Sequence, residues 1–181
     1  MSNLDVASDA VLAERSADGD AIAFGILVRR HVQFLRAFAT RLTGSSADAD
    51  DAVQDALIAA WAQLGSLDDP SKVRTWLASI VSRKAIDRVR SRRPTAALDE
   101  TSTEPVSRGP ESRAVTTSQL DALSAVLSAL PEAQRQCWVL KEVGGLSYDE
   151  IAERLGVTPT VVRGRLARAR ATVVTEMEAW R

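Results

Sequence analysis

The sequence predicts an all-α protein built as two small helical domains joined by a flexible linker, and three observations carry that expectation. Apolar residues recur at three- and four-residue steps, period-two alternation is scarce, and one internal stretch abruptly loses its large apolar residues. With 181 residues and a formal net charge of -1, the chain has room for two small domains, and its overall field gives no reason to expect a polyanion partner. Affinity for nucleic acid would have to come from local segregation of charge. Ala47 to Asp55 carries four Asp and no base, whereas Arg83 to Arg93 carries six bases against Asp87 alone, so the two signs are expected on different surfaces.

The elements follow in chain order. Residues 1–20 read as an N-terminal segment. Leu27, Phe34, Leu35, Phe38 and Leu42 form one face of an amphipathic helix that Gly44 can stop. Val53, Leu57, Ile58 and Trp61 repeat that spacing, with Val53, Leu57 and Trp61 expected to anchor a face inside the domain, while Asp51, Gln54 and Asp55 share another face one turn apart. In the stretch TWLASIVSRKAIDRVRSRRP, Leu77, Ile80, Val81 and Ala85 form the inward face, and Trp76, Arg83, Asp87 and Arg90 a neighbouring stripe. This spacing leaves Trp76 open to two readings, an exposed stacking surface or a core residue.

From Pro94 to Ser118 the chain has three prolines, many Ser and Thr and no aromatic residue, and it cannot bury enough surface to offset its ordering entropy. It reads as a linker, 94–118, between helical domains at 21–93 and 119–181.

Local signals are sharpest after the linker. Ser147 and Glu150 make a capping box, Leu146 and Ile151 a hydrophobic staple, and a helix should start at Tyr148. It should end near Leu155, because Gly156 offers the left-handed conformation and Val157 can pack back. Thr158 as N-cap and Pro159 at the first helical position then start a second helix, which makes a helix-turn-helix. Val162, Leu166, Ala169 and Val173 form its core stripe. Thr160, Gly164 and Ala167 point the opposite way, with Arg163 and Arg170 along one border and Arg165 and Arg168 along the other. Small outward residues admit a duplex groove and arginines hold its phosphates, so DNA binding is the favoured reading over a merely solvated arginine-rich helix.

The order of these motifs resembles the sigma-70 family, specifically its small extracytoplasmic-function (ECF) sigma factors. The resemblance spans nearly the whole chain and rests on DGDAIAF, RLTGSSADADDAVQDALIAAW, WLASIVSRKAIDRVRSRR, LSALPEAQRQCWVLKEVGGLSYDEIAERLG and VRGRLARAR. It implies a region 2-like domain at 21–93 and a region 4-like domain at 119–181. It implies core RNA polymerase as partner, through its clamp and flap, with Asp48, Asp51, Gln54 and Asp55 as the clamp contact. Promoter DNA is the second implied partner. Trp76, Arg83, Lys84, Arg88 and Arg90 would hold the separated minus-ten strand, with GSLDDPSKVRT, Gly65 to Thr75, supplying the pocket for a flipped base. Thr160, Arg163, Gly164, Arg165 and Arg168 would contact the minus-thirty-five duplex. An anti-sigma factor is the third partner. Asp99, Glu100, Glu104 and Glu111 of the linker would suit a basic polymerase channel. Two departures bear on promoter choice: Arg83 stands where most relatives have Asn, and Lys84 where they have an apolar residue.

Other classes fare badly. A conventional helix-turn-helix regulator would devote its N-terminal half to a ligand pocket, a phosphoacceptor or dimerisation. An enzyme is disfavoured because His31 and Cys137 are the sole residues of their types and no phosphate-cradling Gly-rich loop or nucleophile elbow is present. His31 reads as structural, and Cys137, in an apolar run, as a small buried hydrophobe. No cofactor, metal site or catalytic residue is expected. No apolar run reaches the about 18 residues of a membrane span, and the acidic start lacks the order of a secretory signal, so a cytoplasmic location without membrane insertion is expected.

Overall fold

The computed structural model describes residues 3–92 and 119–178; the linker 94–118, with Asp99, Glu100, Glu104 and Glu111, lies outside the described residues. The described chain is helical throughout its regular elements and divides into two compact units, Met1–Arg92 and Arg93–Arg181. The all-α reading with two helical domains holds.

In the first unit, a short 3-10 turn, Asn3–Val6, leads into α1, Asp9–Ala17, whose N-cap Ser8 accepts from the Val11 N–H at 3.3 Å. α2, Ala21–Thr43, begins at Asp20, whose side chain accepts from the Ile22 and Ala23 N–H groups, and ends at Gly44 with φ 70°. A side chain at that left-handed position would be strained, which makes glycine an efficient stop there. α3, Ser46–Gln63, is capped by Ser45, and two 3-10 turns, Leu64–Ser66 and Pro70–Lys72, reverse the chain into α4, Val73–Arg92.

The core lies among α2, α3 and α4. α2 contributes Leu27, Leu35, Phe38 and Leu42, and α4 contributes Leu77, Val81, Ala85, Ile86 and Val89. α3 departs from expectation. Its buried face is an alanine stripe, Ala49, Ala52, Ala56 and Ala60 with Val53, whereas Leu57 is half-buried, Ile58 is 66% exposed and Trp61 41% exposed. Short side chains let α2 and α4 approach α3 closely, and the bulky residues at the intervening positions are turned outward. Of the three expected anchors, only Val53 is inside. Ile80 of α4, expected inward, is half-buried as well.

Residues 3–20 hold more order than their sequence suggested. α1 buries Leu12, Ala13 and Ser16, and its start is fastened to α2. Asp9 Oδ1 accepts from Arg30 Nη1 at 2.8 Å, Asp9 Oδ2 lies 2.7 Å from His31 Nε2, and Arg30 also donates to the Ala7 and Asp5 carbonyls. Burial works to raise the Asp9 pKa, but the hydrogen bonds from Arg30 and His31 outweigh it and hold the carboxyl below its ordinary value. His31 is buried and serves this junction.

In the second unit, α5, Gln119–Ala129, and α6, Glu132–Trp138, precede a π turn, Val139–Val143. α7, Tyr148–Leu155, and α8, Pro159–Glu178, complete it. Leu127, Leu130 and Ala169 form a core that Leu123, Trp138 and Val173 cover. Cys137 is fully buried; burial pushes its thiol pKa up, and the nearby Arg165 guanidinium opposes the shift.

Candidate nucleic-acid interface

The helix-turn-helix forms as its local chemistry dictates. The Glu150 N–H donates to Ser147 Oγ at 3.2 Å and the Ser147 N–H to Glu150 Oε2 at 2.7 Å, which closes the capping box. The Ser147 N–H is the main cause holding the Glu150 carboxyl below its ordinary pKa. Leu146 and Ile151 are both buried, as the staple requires. Gly156 adopts φ 66°, and the Val157 N–H donates to the Ala152 carbonyl at 3.0 Å, the bond that closes a Schellman turn. Thr158 Oγ1 then accepts from the Val161 N–H at 3.4 Å and Pro159 opens α8.

On α8, Val162, Leu166 and Ala169 are buried, and Thr160 and Ala167 are exposed on the opposite side, with Gly164 half-buried between them. Arg163 and Arg168 are exposed, and among the described residues neither has a carboxylate partner. The Arg163 guanidinium sits 5.7 Å from the Tyr148 ring centre, and Lys141 Nζ 5.0 Å from the same ring, while donating to the Leu146 carbonyl. The π turn before α7 was not legible in the sequence, and it is what brings Lys141 to this place. The two remaining arginines have other engagements. Arg170 forks onto Glu142 Oε1 at 2.9 and 2.6 Å, and Arg165 is half-buried against Cys137. The open cationic border of the small-residue face is therefore made chiefly by Arg163 and Arg168.

α4 presents a different surface. Arg83, Asp87 and Arg90 are exposed along one stripe. Trp76, Ile80, Lys84 and Arg88 follow each other at four-residue steps, and all four are half-buried, a ridge between the core face and solvent. Trp76 is thus neither a core residue nor fully exposed. Lys84 is half-buried, which suits a lysine whose stem can lie along apolar surface while its charge reaches water. At the start of the helix, the Arg74 guanidinium lies 4.0 Å over the Phe34 ring.

The charge arrangement overturns one expectation. The acidic run of α3 and the basic run of α4 do not occupy separate surfaces. Asp48 pairs with Arg92, and Arg88 donates to Asp51 Oδ2 at 3.0 Å and to Asp55 Oδ2 at 2.9 Å. Asp50 is forked by Arg36 of α2 at 2.6 and 2.8 Å. The reason is topological: two consecutive helices joined by a short connection run antiparallel, so the start of α3 meets the end of α4, and the helix dipoles favour acid at the first and base at the second. Along α3 the exposed stripe of Asp51, Gln54 and Asp55 continues through Ile58 to Trp61, whose ring tilts against Phe24 at 5.1 Å. Sequence reasoning placed Trp61 inside. Its three-residue steps back through Ile58 to Asp55 were the signal for an outward stripe that is acidic at one end and apolar at the other.

Among the described residues no helix is long and apolar enough to cross a membrane, and no cluster of His, Cys, Asp and Glu could hold a metal ion.

Comparison with known proteins agrees with this geometry. Sigma-70 region 2 matches residues 27–95 and Sigma-70 region 4 matches residues 120–173, so both units are covered. The ECF RNA polymerase sigma factor SigM of Mycobacterium tuberculosis is 38% identical over 91% of this chain and 82% of its own. Among solved structures, CnrH in complex with the cytosolic domain of CnrY aligns with a TM-score of 0.56 at 32% identity, covering 94% of this chain and 97% of that one. The sigma factor RpoE of Bartonella quintana, in complex with the anti-sigma factor NepR, aligns with a TM-score of 0.56 at 25% identity over 87% of this chain and 98% of that one. With region 2 matched in the first unit and region 4 in the second, and with ECF relatives such as SigM aligned over most of its length, the chain belongs to the ECF branch of the sigma-70 family of RNA polymerase sigma factors.

Proposed function

We propose that this protein binds core RNA polymerase, directs it to specific promoters and promotes opening of the DNA there, in the cytoplasm where core enzyme and chromosome meet. It performs no covalent chemistry. The observation that carries the reading is the α3–α4 hairpin, which presents an acidic-to-apolar stripe and, next to it, an aromatic-to-basic ridge, while a separate unit carries a capped helix-turn-helix.

That placement supports the residue roles that the family resemblance implies. Asp48, Asp51, Gln54 and Asp55 dock on the clamp, with the exposed Ile58 and Trp61 adding apolar contact at the other end of the stripe. An acidic stripe speeds and orients association with a basic partner, and the desolvated aromatic end supplies affinity. Trp76 stacks on an unpaired base of the minus-ten strand, and Arg83, Lys84, Arg88 and Arg90 hold its backbone; stacking contributes about 1 to 3 kcal/mol per base. Trp76→Ala, in a protein shown to remain folded, should then impair open-complex formation more than initial duplex binding, and normal melting in permanganate footprints would discard the stacking role. Arg163 reads a base edge at minus-thirty-five, Arg168 and Arg165 hold phosphates, and Thr160 and Gly164 permit the close approach. Residues 94–118 connect the domains.

An anti-sigma factor restrains the free protein by covering one of these surfaces. The support is that the aligned RpoE was solved with such a partner. Overproduction of the chain followed by mapping of transcript start sites tests the whole reading. Newly induced starts should share one upstream element near minus ten and another near minus thirty-five, and induced starts without common upstream sequence would refute it.

A further inference from the structure

We propose that Arg88 is shared between the two surfaces of the α3–α4 hairpin: in the free protein it holds the docking carboxylates Asp51 and Asp55, and a basic partner that takes those carboxylates releases it to a nucleic-acid strand. The inference rests on the proposed docking role of Asp51 and Asp55.

Arg88 differs from Arg36, the arginine that ties α2 to α3. Arg36 places Nε and Nη2 on the two oxygens of one carboxylate, Asp50, a saturated fork. Arg88 instead splits its guanidinium, Nη1 to Asp51 and Nη2 to Asp55, one hydrogen bond each. Its Nε is buried without a hydrogen-bond partner, so the closed arrangement leaves a donor unsatisfied. Two carboxylates facing one guanidinium keep a surplus of one negative charge, enough to attract a basic surface while the pair is closed.

All three side chains are accessible to an incoming partner. The Arg88 side chain is 32% exposed, that of Asp51 58% and that of Asp55 48%. Exposed pairs of this kind are weak and exchange readily. When cations from a partner occupy Asp51 and Asp55, Arg88 loses its acceptors and meets like charge. It then has to turn toward another anion. The half-buried ridge that carries Arg88 also carries Lys84 and Trp76, which lies about 18 Å away along the helix. A strand laid on that ridge offers the phosphate Arg88 needs. Linkage makes the effect reciprocal: partner binding strengthens strand binding by the same factor by which the strand strengthens partner binding. Until a partner arrives, Arg88 is withheld from nucleic acid.

A thermodynamic cycle on the full-length free protein tests this. The variants are Asp51→Asn with Asp55→Asn, Arg88→Gln, and all three together, each checked by thermal melting. The readout is titration of a fluorescent oligodeoxythymidylate of about 20 nucleotides. The double Asn variant should bind the oligonucleotide about two- to fivefold more tightly, and the same two changes should give no gain once Arg88 is Gln. An equal gain in both backgrounds, or none in either, overturns the proposal. Affinity for core RNA polymerase, measured on the same proteins, separates it from the docking reading. Arg88→Gln should tighten core binding about two- to fivefold by removing an internal competitor, whereas weaker binding overturns the shared role. Unchanged core affinity in the double Asn variant refutes the docking assignment itself, an outcome distinct from the oligonucleotide cycle.

Discussion

The two units carry similar runs of charge and use them in opposite ways. In the first, Arg88 and Arg92 of α4 are spent on aspartates of α3, so that Asp48, Asp51 and Asp55 all have partners within the protein. In the second, Glu142 engages Arg170 while Arg163 and Arg168 stand open beside a face of small residues. Arginines already paired must be released before they can bind DNA. Arg163 and Arg168, with no carboxylate partner among the described residues, carry no such cost, so under the proposed roles the second unit is the readier of the two for DNA.

The sharpest way to break that contrast is to collapse the open face. Leu166 is 1% exposed, and Leu166→Ala should destabilise the second unit by about 2–5 kcal/mol, with loss of minus-thirty-five duplex binding and retention of core binding; urea melts and core titrations check both. Arg163→Ala should cost about 1–3 kcal/mol of duplex affinity and relax base choice at one position if the residue makes a bidentate base contact. Unchanged affinity and sequence profile in a competition assay would remove its base-reading role. Arg168→Ala should weaken binding evenly across sequences and lower the slope of log affinity against log salt by about one, because a phosphate contact has been lost. Arg36→Ala, in the compensated unit, should change stability by no more than about 1 kcal/mol and leave minus-thirty-five binding untouched, since an exposed pair is worth little.

The smallest effect concerns the capping box. Glu150 has a folded-state pKa below its unfolded value, so its contribution is present above the unfolded pKa and is lost as pH falls through the folded one. The stability difference between wild type and Glu150→Gln, at most about 1 kcal/mol, should therefore shrink below about pH 4 in thermal melts.

The second domain was the more legible because its signals are local. Ser147 with Glu150, Gly156, Thr158 and Pro159 each settle a backbone conformation within a few residues, and the α7 boundaries at Tyr148 and Leu155 follow directly. Helix-wheel reasoning served α8 for the same reason. α3 was misread because its core face is built of alanine, which hydrophobic spacing underweights, so Leu57 and Trp61 stood out beside Val53 as the apparent anchors. The Arg88 and Arg92 pairings were hidden for another reason. They join residues more than thirty positions apart, and only the antiparallel hairpin brings them together. α1 was not read from the sequence at all: its hold on α2 through Asp9, Arg30 and His31 is tertiary.

Run-off transcription with purified core RNA polymerase bears most directly on the central claim, that the paired charges of the first unit and the open arginines of the second serve one promoter-directing protein. Templates carrying the upstream elements of its induced start sites should give transcripts of defined length when the protein is present, fewer with Asp51→Asn and Asp55→Asn, and fewer again with Arg163→Ala added. Core polymerase that gives no promoter-dependent transcript on any of these templates with the wild-type protein would contradict it.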